Sequence, residues 1–190
     1  MVVKYTLILF LLFQTCIVNA QVRKGMLKAT STFSIGLQNE ATQNYYLSGL
    51  LEFQLDDRFS VRGDGFYFIG SNGDRVRFDR NHQVFAGLFS NFKLSDQFYA
   101  YAGLQTGVAY SRGTEFPTLN EDGSLSNKPA FNPVFSGVGG LVYYAPKWFH
   151  VFIETRYVMG KHQSDSYVVH LDEWRFTFGL GFHLYTLRNK

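Results

Sequence analysis

From Trp174 to Tyr185 the chain alternates with period two. Trp174, Phe176, Phe178, Leu180, Phe182 and Leu184 are apolar, and the positions between them read Arg175, Thr177, Gly179, Gly181, His183 and Tyr185. A helix would scatter both sets around its circumference, whereas an extended chain separates them onto two faces. The same pattern predicts strands over Leu27–Gln38, Tyr45–Leu55, Phe59–Ile69, Gln83–Leu94, Phe98–Tyr110 and Phe149–Gly160. An eighth segment, Pro133–Tyr144, alternates poorly, and its faces stay unassigned. Each segment runs about 10–12 residues. That exceeds the roughly 5–6 of an ordinary strand and approaches the roughly 9–11 of a strand that crosses a bilayer.

The connections carry a second signal. Asp56-Asp57-Arg58, Ser95-Asp96-Gln97 and Ala145-Pro146-Lys147 read as tight turns. Longer polar stretches, 39–44, 71–82, 111–132 and 161–171, lie between them. Long and short connections alternate, so an up-and-down meander gathers every long loop at one end and both termini at the other. Short turns at one end and long loops at the other are the asymmetry of an outer-membrane barrel, with the turns in the periplasm.

Alternation alone does not say which face is outside. A lipocalin-like barrel puts the apolar face inside, and a membrane barrel reverses it. The polar face here is rich in Gly, Ser, Thr, Gln and Asn and carries charges of both signs: Lys28, Arg62, Lys93, Arg156 and Arg175 against Glu52, Asp64 and Glu154. A narrow lumen requires such pairing, because a buried charge is tolerated only with a partner. Aromatic residues mark the strand ends at Tyr45, Phe59, Phe98, Tyr110, Phe149 and Trp174, where interfacial girdles belong. The fold class expected is therefore all-β, an eight-stranded antiparallel up-and-down transmembrane β-barrel. A soluble periplasmic barrel that binds ligands inside is the alternative.

Composition agrees. Of the 190 residues, 46% are hydrophobic and 18% aromatic, while only 17% are charged, against roughly 25% in a typical soluble domain. A net charge of +3 is too mild for a nucleic-acid binder. The first twenty residues read as an address. Lys4 precedes an apolar run, Leu7–Phe13, and the segment closes on Val18-Asn19-Ala20, the layout of a secretory signal peptide. The run is too short to span a membrane as a helix. Cleavage after Ala20 would remove Cys16, the single cysteine, and leave 21–190 as one barrel domain.

Candidate chemistry is sparse. The lumen charges named above form a side-chain plug, since eight strands enclose an interior that side chains fill. Wide aqueous channels need about 16–18 strands. Arg75, Arg77 and Arg80 sit in the 71–82 loop, and arginine grips phosphate bidentately, so contact with lipopolysaccharide head groups is expected there. An extracellular partner is expected through the 71–82 and 111–132 loops, the second being the longest connection. His162-Gln163-Ser164 has a His-x-Ser spacing that would suit an enzyme on lipid A or phospholipid, but it falls in a polar loop segment. The five histidines show no metal-ligand spacing, and no cofactor motif is present.

The mature chain resembles the small eight-stranded outer-membrane barrels of the OmpA and OmpX type. Its last strand, with Thr177, Gly179, Phe182 and Leu184 at the polar, glycine, hydrophobic and hydrophobic positions, looks like the β-signal read by barrel-assembly machinery. The resemblance implies an outer-membrane location in a Gram-negative bacterium. A structural or adhesive role through the loops is expected, with an enzyme on lipid A or phospholipid as the alternative.

Overall fold

The period-two segments become strands whose backbone partners lie on the neighbouring segment. The computed structural model describes residues 22–38, 42–73, 78–114, 118–119, 125–126, 128–145, 148–163 and 168–185. The signal-peptide segment, Arg75, Arg77 and the last five residues lie outside the described residues. Eight long strands make the barrel: β1 (Met26–Leu37), β2 (Gln43–Gln54), β3 (Phe59–Asn72), β4 (Phe78–Lys93), β5 (Phe98–Gly113), β6 (Ala130–Tyr144), β7 (Phe149–Gln163) and β8 (Glu173–Tyr185). Each pairs antiparallel with the next, and β8 returns to β1, where Leu27 opposes Leu184 and Phe33 opposes Phe178. Closure gives each of the eight long strands a neighbour on both sides.

The three tight turns close in the same way. Leu55, Leu94 and Ala145 each donate a backbone N–H to the carbonyl four residues on, at Phe59, Phe98 and Phe149. In the first turn, Asp56 Oδ1 also accepts the N–H groups of Arg58 and Phe59, both at 2.7 Å. At the other end the ladders run further than the hydrophobic pattern predicts. Phe78, Arg80 and Asn81 pair with Gly113, Arg112 and Ser111, and Ser111 pairs in turn with Ala130. Backbone pairing continues there although the side chains have turned polar, so β4 and β5 reach 16 residues each. The last loop contributes Val168–His170, which adds to the end of β7.

The apolar stripe faces out. Leu104 is 76% exposed and Phe178 68%, whereas Arg156 and Arg175 on the inner face are 1% and 0% exposed. This excludes the inverted, lipocalin-like arrangement. Phe59, Phe98 and Phe149 ring the turn end of the outer surface, and Tyr45, Tyr110 and Trp174 ring the loop end. β6 now has faces: Phe131, Phe135 and Leu141 point out, while Asn132, Val134, Ser136, Val138 and Val142 point in. Its inner row is largely apolar too, which is why it shows little contrast in sequence. Lys93 is a correction. It continues the alternation of β4 on paper, but it stands at the turn end, where the barrel opens. Its side chain is exposed and pairs with Asp96 in the same turn, at 2.8 Å.

Candidate functional site: the packed lumen

The inner wall has two kinds of surface. β1, β2, β7 and β8 contribute most of the polar and charged residues. β3 to β6 contribute Phe66, Phe68, Phe85, Phe89, Tyr99, Tyr101 and three valines. The long cations reach across and lie on the aromatic faces, and the charges meet in three layers.

Nearest the turns, Lys28 Nζ pairs with Glu52 Oε1 at 2.5 Å and donates to the Tyr144 hydroxyl at 3.1 Å. Ser60 donates to the same Glu52 oxygen at 2.7 Å. In the middle, two arginines and two carboxylates close a ring. Arg62 donates to Asp64 from Nε and to Glu154 from Nη1, both at 2.6 Å. Arg156 joins Asp64 and Glu154 from the other side. Tyr101 adds a hydrogen bond to Glu154 at 3.0 Å. The Arg62 guanidinium lies 4.8 Å from the Phe89 ring, and Arg156 sits between Phe66 at 4.7 Å and Phe85 at 5.1 Å, all within cation–π range. Towards the loops, Arg175 pairs with Glu173 and lies 4.1 Å from the Tyr46 ring. Asn44 and Tyr46 donate to Glu173 at 2.8 and 2.7 Å.

Every one of these eight ionic side chains is at most 5% exposed. Four are cationic and four anionic, so the described interior is electroneutral. The void beside Arg62, Asp64 and Glu154 measures about 10 Å³, room for one water at most. Apolar clusters close both ends. Val22, Met26 and Tyr144 lie at the turn end; Tyr46, Phe68, Phe78, Val169 and Leu171 lie at the loop end. Inward glycines make the space for this filling. A Cβ on Gly103 would lie 2.5 Å from the Phe89 ring, and one on Gly36 would collide with the Glu173 carboxylate.

Seven of the eight expected lumen residues therefore meet inside, and Lys93 does not. Glu173 carries no signal in the alternation, because it precedes the first apolar residue of its strand. The inner aromatics Phe66, Phe85 and Phe89 are nearly as hard to read from the alternation. Their only signal was a position opposite the outward stripe.

The other expected residues fall in different places. Arg80 is exposed at the loop end, beside Asp79, whose carboxylate accepts from Arg112 Nε at 2.9 and 2.7 Å. Thr177 and Gly179 face the lumen, with Thr177 hydrogen-bonded to Ser34 at 2.7 Å. Phe182 faces out and stacks on Trp148 at 5.1 Å, and Leu184 is exposed beside it. His162 is a second correction. The ladder of β7 extends through it, so it is a buried, inward strand residue and not a loop residue. Its Nδ1 lies 2.9 Å from Ser111 Oγ and 3.4 Å from Asn132 Nδ2. Ser164 lies outside the described residues.

No family model matches the chain, and no curated protein matches its sequence. Solved structures do match its shape. The outer membrane protein OprG of Pseudomonas aeruginosa superposes with a TM-score of 0.62 at 13% identity, covering 87% of this chain and 99% of that one. The N-terminal β-barrel domain of OprF from the same organism gives 0.58 at 13% identity, covering 85% and 98%. The fold is that of the small outer-membrane β-barrels. Neisserial surface protein A gives 0.55 at 11% identity, covering 84% and 96%. A likeness of shape at such low identity describes this barrel's architecture and leaves its lumen chemistry its own.

Proposed function

We propose that the chain is an integral outer-membrane protein whose lumen is a solid, neutral plug, and that it works through its outer loops in a structural or adhesive role. One observation carries the reading: an apolar outer belt bounded by aromatic rims surrounds an interior in which every described buried charge is paired. Hydrocarbon accepts such a belt and such a closed sheet, and water does not. In this orientation the tight turns and the termini stand in the periplasm, and the chain arrives there after signal-peptide cleavage near Ala20. The last strand, with Thr177, Gly179, Phe182 and Leu184, serves as the recognition signal for the barrel-assembly machinery.

Arg75, Arg77 and Arg80 would meet lipopolysaccharide phosphates at the loop end. The engagement of Asp79 by Arg112 supports this, because it occupies the carboxylate that adjoins Arg80 in the chain. The 111–132 loop would supply the surface for an extracellular partner. The purified barrel in planar bilayers tests the plug directly: no steady conductance is expected, and stable open-channel currents would refute it.

A hydrolase is the second reading, and the contact between Ser111 and His162 favours it. Hydroxyl and imidazole at hydrogen-bonding distance are the elements of an activated nucleophile. Both groups are sealed under Phe78 and the loop-end cluster, so the non-enzymatic reading is preferred. Covalent capture of Ser111 by a fluorophosphonate probe would reverse that preference.

A further inference from the structure

Two histidines meet at the turn end of the lumen. His150 comes from β7 and His183 from β8, both inward and both at most 3% exposed. Their ring centroids lie 5.8 Å apart and their planes are inclined by 41°. Nδ1 of His150 and both ring nitrogens of His183 are buried without a hydrogen-bond partner. Among the described residues, His183 is the only side chain with two such atoms. Buried polar groups left in this state are destabilising, and they call for an occupant that accepts or shares them.

The surroundings narrow its chemistry. Tyr144 packs its ring against both histidines, at 5.7 and 5.3 Å, and Phe152 lies 6.2 Å from His150. Lys28, which reaches the Tyr144 hydroxyl, is balanced by Glu52, and Ser60 holds the Glu52 oxygen that Lys28 uses. Gly181 opposes His150 across the ladder, and a Cβ there would lie 2.7 Å from His150 Nε2, so the glycine leaves the imidazole its room.

We propose that His150 and His183 are the paired ligands of one late transition-metal cation, of the copper(I) class. A neutral imidazole offers a lone pair suited to copper, zinc or nickel. With metal–nitrogen bonds of about 2.0 Å, two rings that share an ion have centroids roughly 5–6 Å apart, which fits the observed spacing. Among the described residues no group of three or more His, Cys, Asp or Glu side chains converges as a metal centre. A four-ligand zinc site or a six-oxygen site therefore lacks its donors here. Copper(I) accepts two nitrogens, and its single charge is the smaller burden beside Lys28. The two histidines are distant in sequence, and the antiparallel register of β7 with β8, which sets Gly181 opposite His150, brings them side by side.

The full chain with Cys16→Ser, which removes the competing thiol, would be refolded in detergent with ascorbate as reductant and titrated against copper(I) held by a chromophoric chelator of known affinity. The expected result is one copper per barrel, with His150→Gln and His183→Gln each weakening uptake by more than about tenfold. His82→Gln and His170→Gln should leave it unchanged. Heat-modifiable gel migration reports whether each variant has folded. X-ray absorption on the same Cys16→Ser chain needs no histidine variant and should show low-coordinate copper(I) bound by imidazole nitrogen. Failure to take copper from the chelator, unchanged uptake in the folded double variant, or a spectrum without imidazole would overturn the proposal and leave trapped water as the occupant.

Discussion

Arg62 donates to Glu154 across the lumen at 2.6 Å and so ties β3 to β7, two strands that are not neighbours in the barrel wall. Backbone ladders hold each strand only to the next. The ring of Arg62, Asp64, Arg156 and Glu154 adds a cross-brace. Replacing Glu154 by Gln leaves two buried guanidiniums facing one carboxylate. The expected loss is about 3–5 kcal/mol, the usual consequence of stranding a buried charge. Urea unfolding of the refolded barrel, followed by heat-modifiable migration, measures it. Lys28→Met combined with Glu52→Leu should destabilise less than either change alone, because the pair leaves together.

The two faces should respond oppositely to a single methyl group. Gly103 faces in, and a Cβ there meets the Phe89 ring at 2.5–2.6 Å. Gly103→Ala should therefore cost about 1–3 kcal/mol through overpacking. Gly65 faces out, and a Cβ there meets nothing within 4 Å. Gly65→Ala should stabilise by up to about 1 kcal/mol, because glycine is a poor strand residue. Equal responses at the two positions in the same unfolding assay would contradict the packed interior.

Leu180 and Thr177 test the same division with polarity. Leu180→Arg places a charge on the outer belt and should cost about 2–4 kcal/mol near the bilayer midplane. Thr177→Val removes the hydrogen bond to Ser34 and should cost about 1 kcal/mol. An arginine at Thr177 would find no space beside the central ring, so the lumen does not offer a tolerant site for it. Folding yield into lipid vesicles reads both substitutions.

Much of this was legible in the sequence, and the reasons are local. Period-two contrast located seven strands, because the two faces meet different surroundings. It put Lys28, Glu52, Arg62, Asp64, Glu154, Arg156 and Arg175 on the polar row, and in the structure all seven side chains are buried. Contrast failed where both rows are apolar, as in β6, where Val134, Val138 and Val142 face in. It also could not say where a strand ends. Alternation carried Lys93 past the point where the lumen opens, and polarity ended β7 before His162, although backbone pairing continues. Which charges touch was hidden for a different reason. Arg62 meets Glu154 only because the sheet closes, and closure is a property of all eight strands together.

Acid should loosen the first turn. The backbone N–H groups of Phe59 and Arg58 hold the Asp56 carboxyl below the usual carboxylate range of about 4. A folded-state value below the unfolded one contributes stability that is fully present above the unfolded value. That stability is lost as pH falls through the folded one. Amide exchange at Phe59 should therefore accelerate as pH drops below about 4, relative to the intrinsic rate of the same amide. In Asp56→Ala the exchange should already be fast at neutral pH and show no such step.

The central claim, that the apolar stripe meets acyl chains while the charged stripe is sealed inside, is tested most directly by labelling. Single cysteines at Phe178, Leu180 and Phe182, in a chain with Cys16 replaced by serine, would be offered a charged maleimide and a bilayer-soluble one in intact cells. The account predicts reaction with the bilayer-soluble reagent and none with the charged one. Ready modification of all three by the water-borne reagent would contradict it.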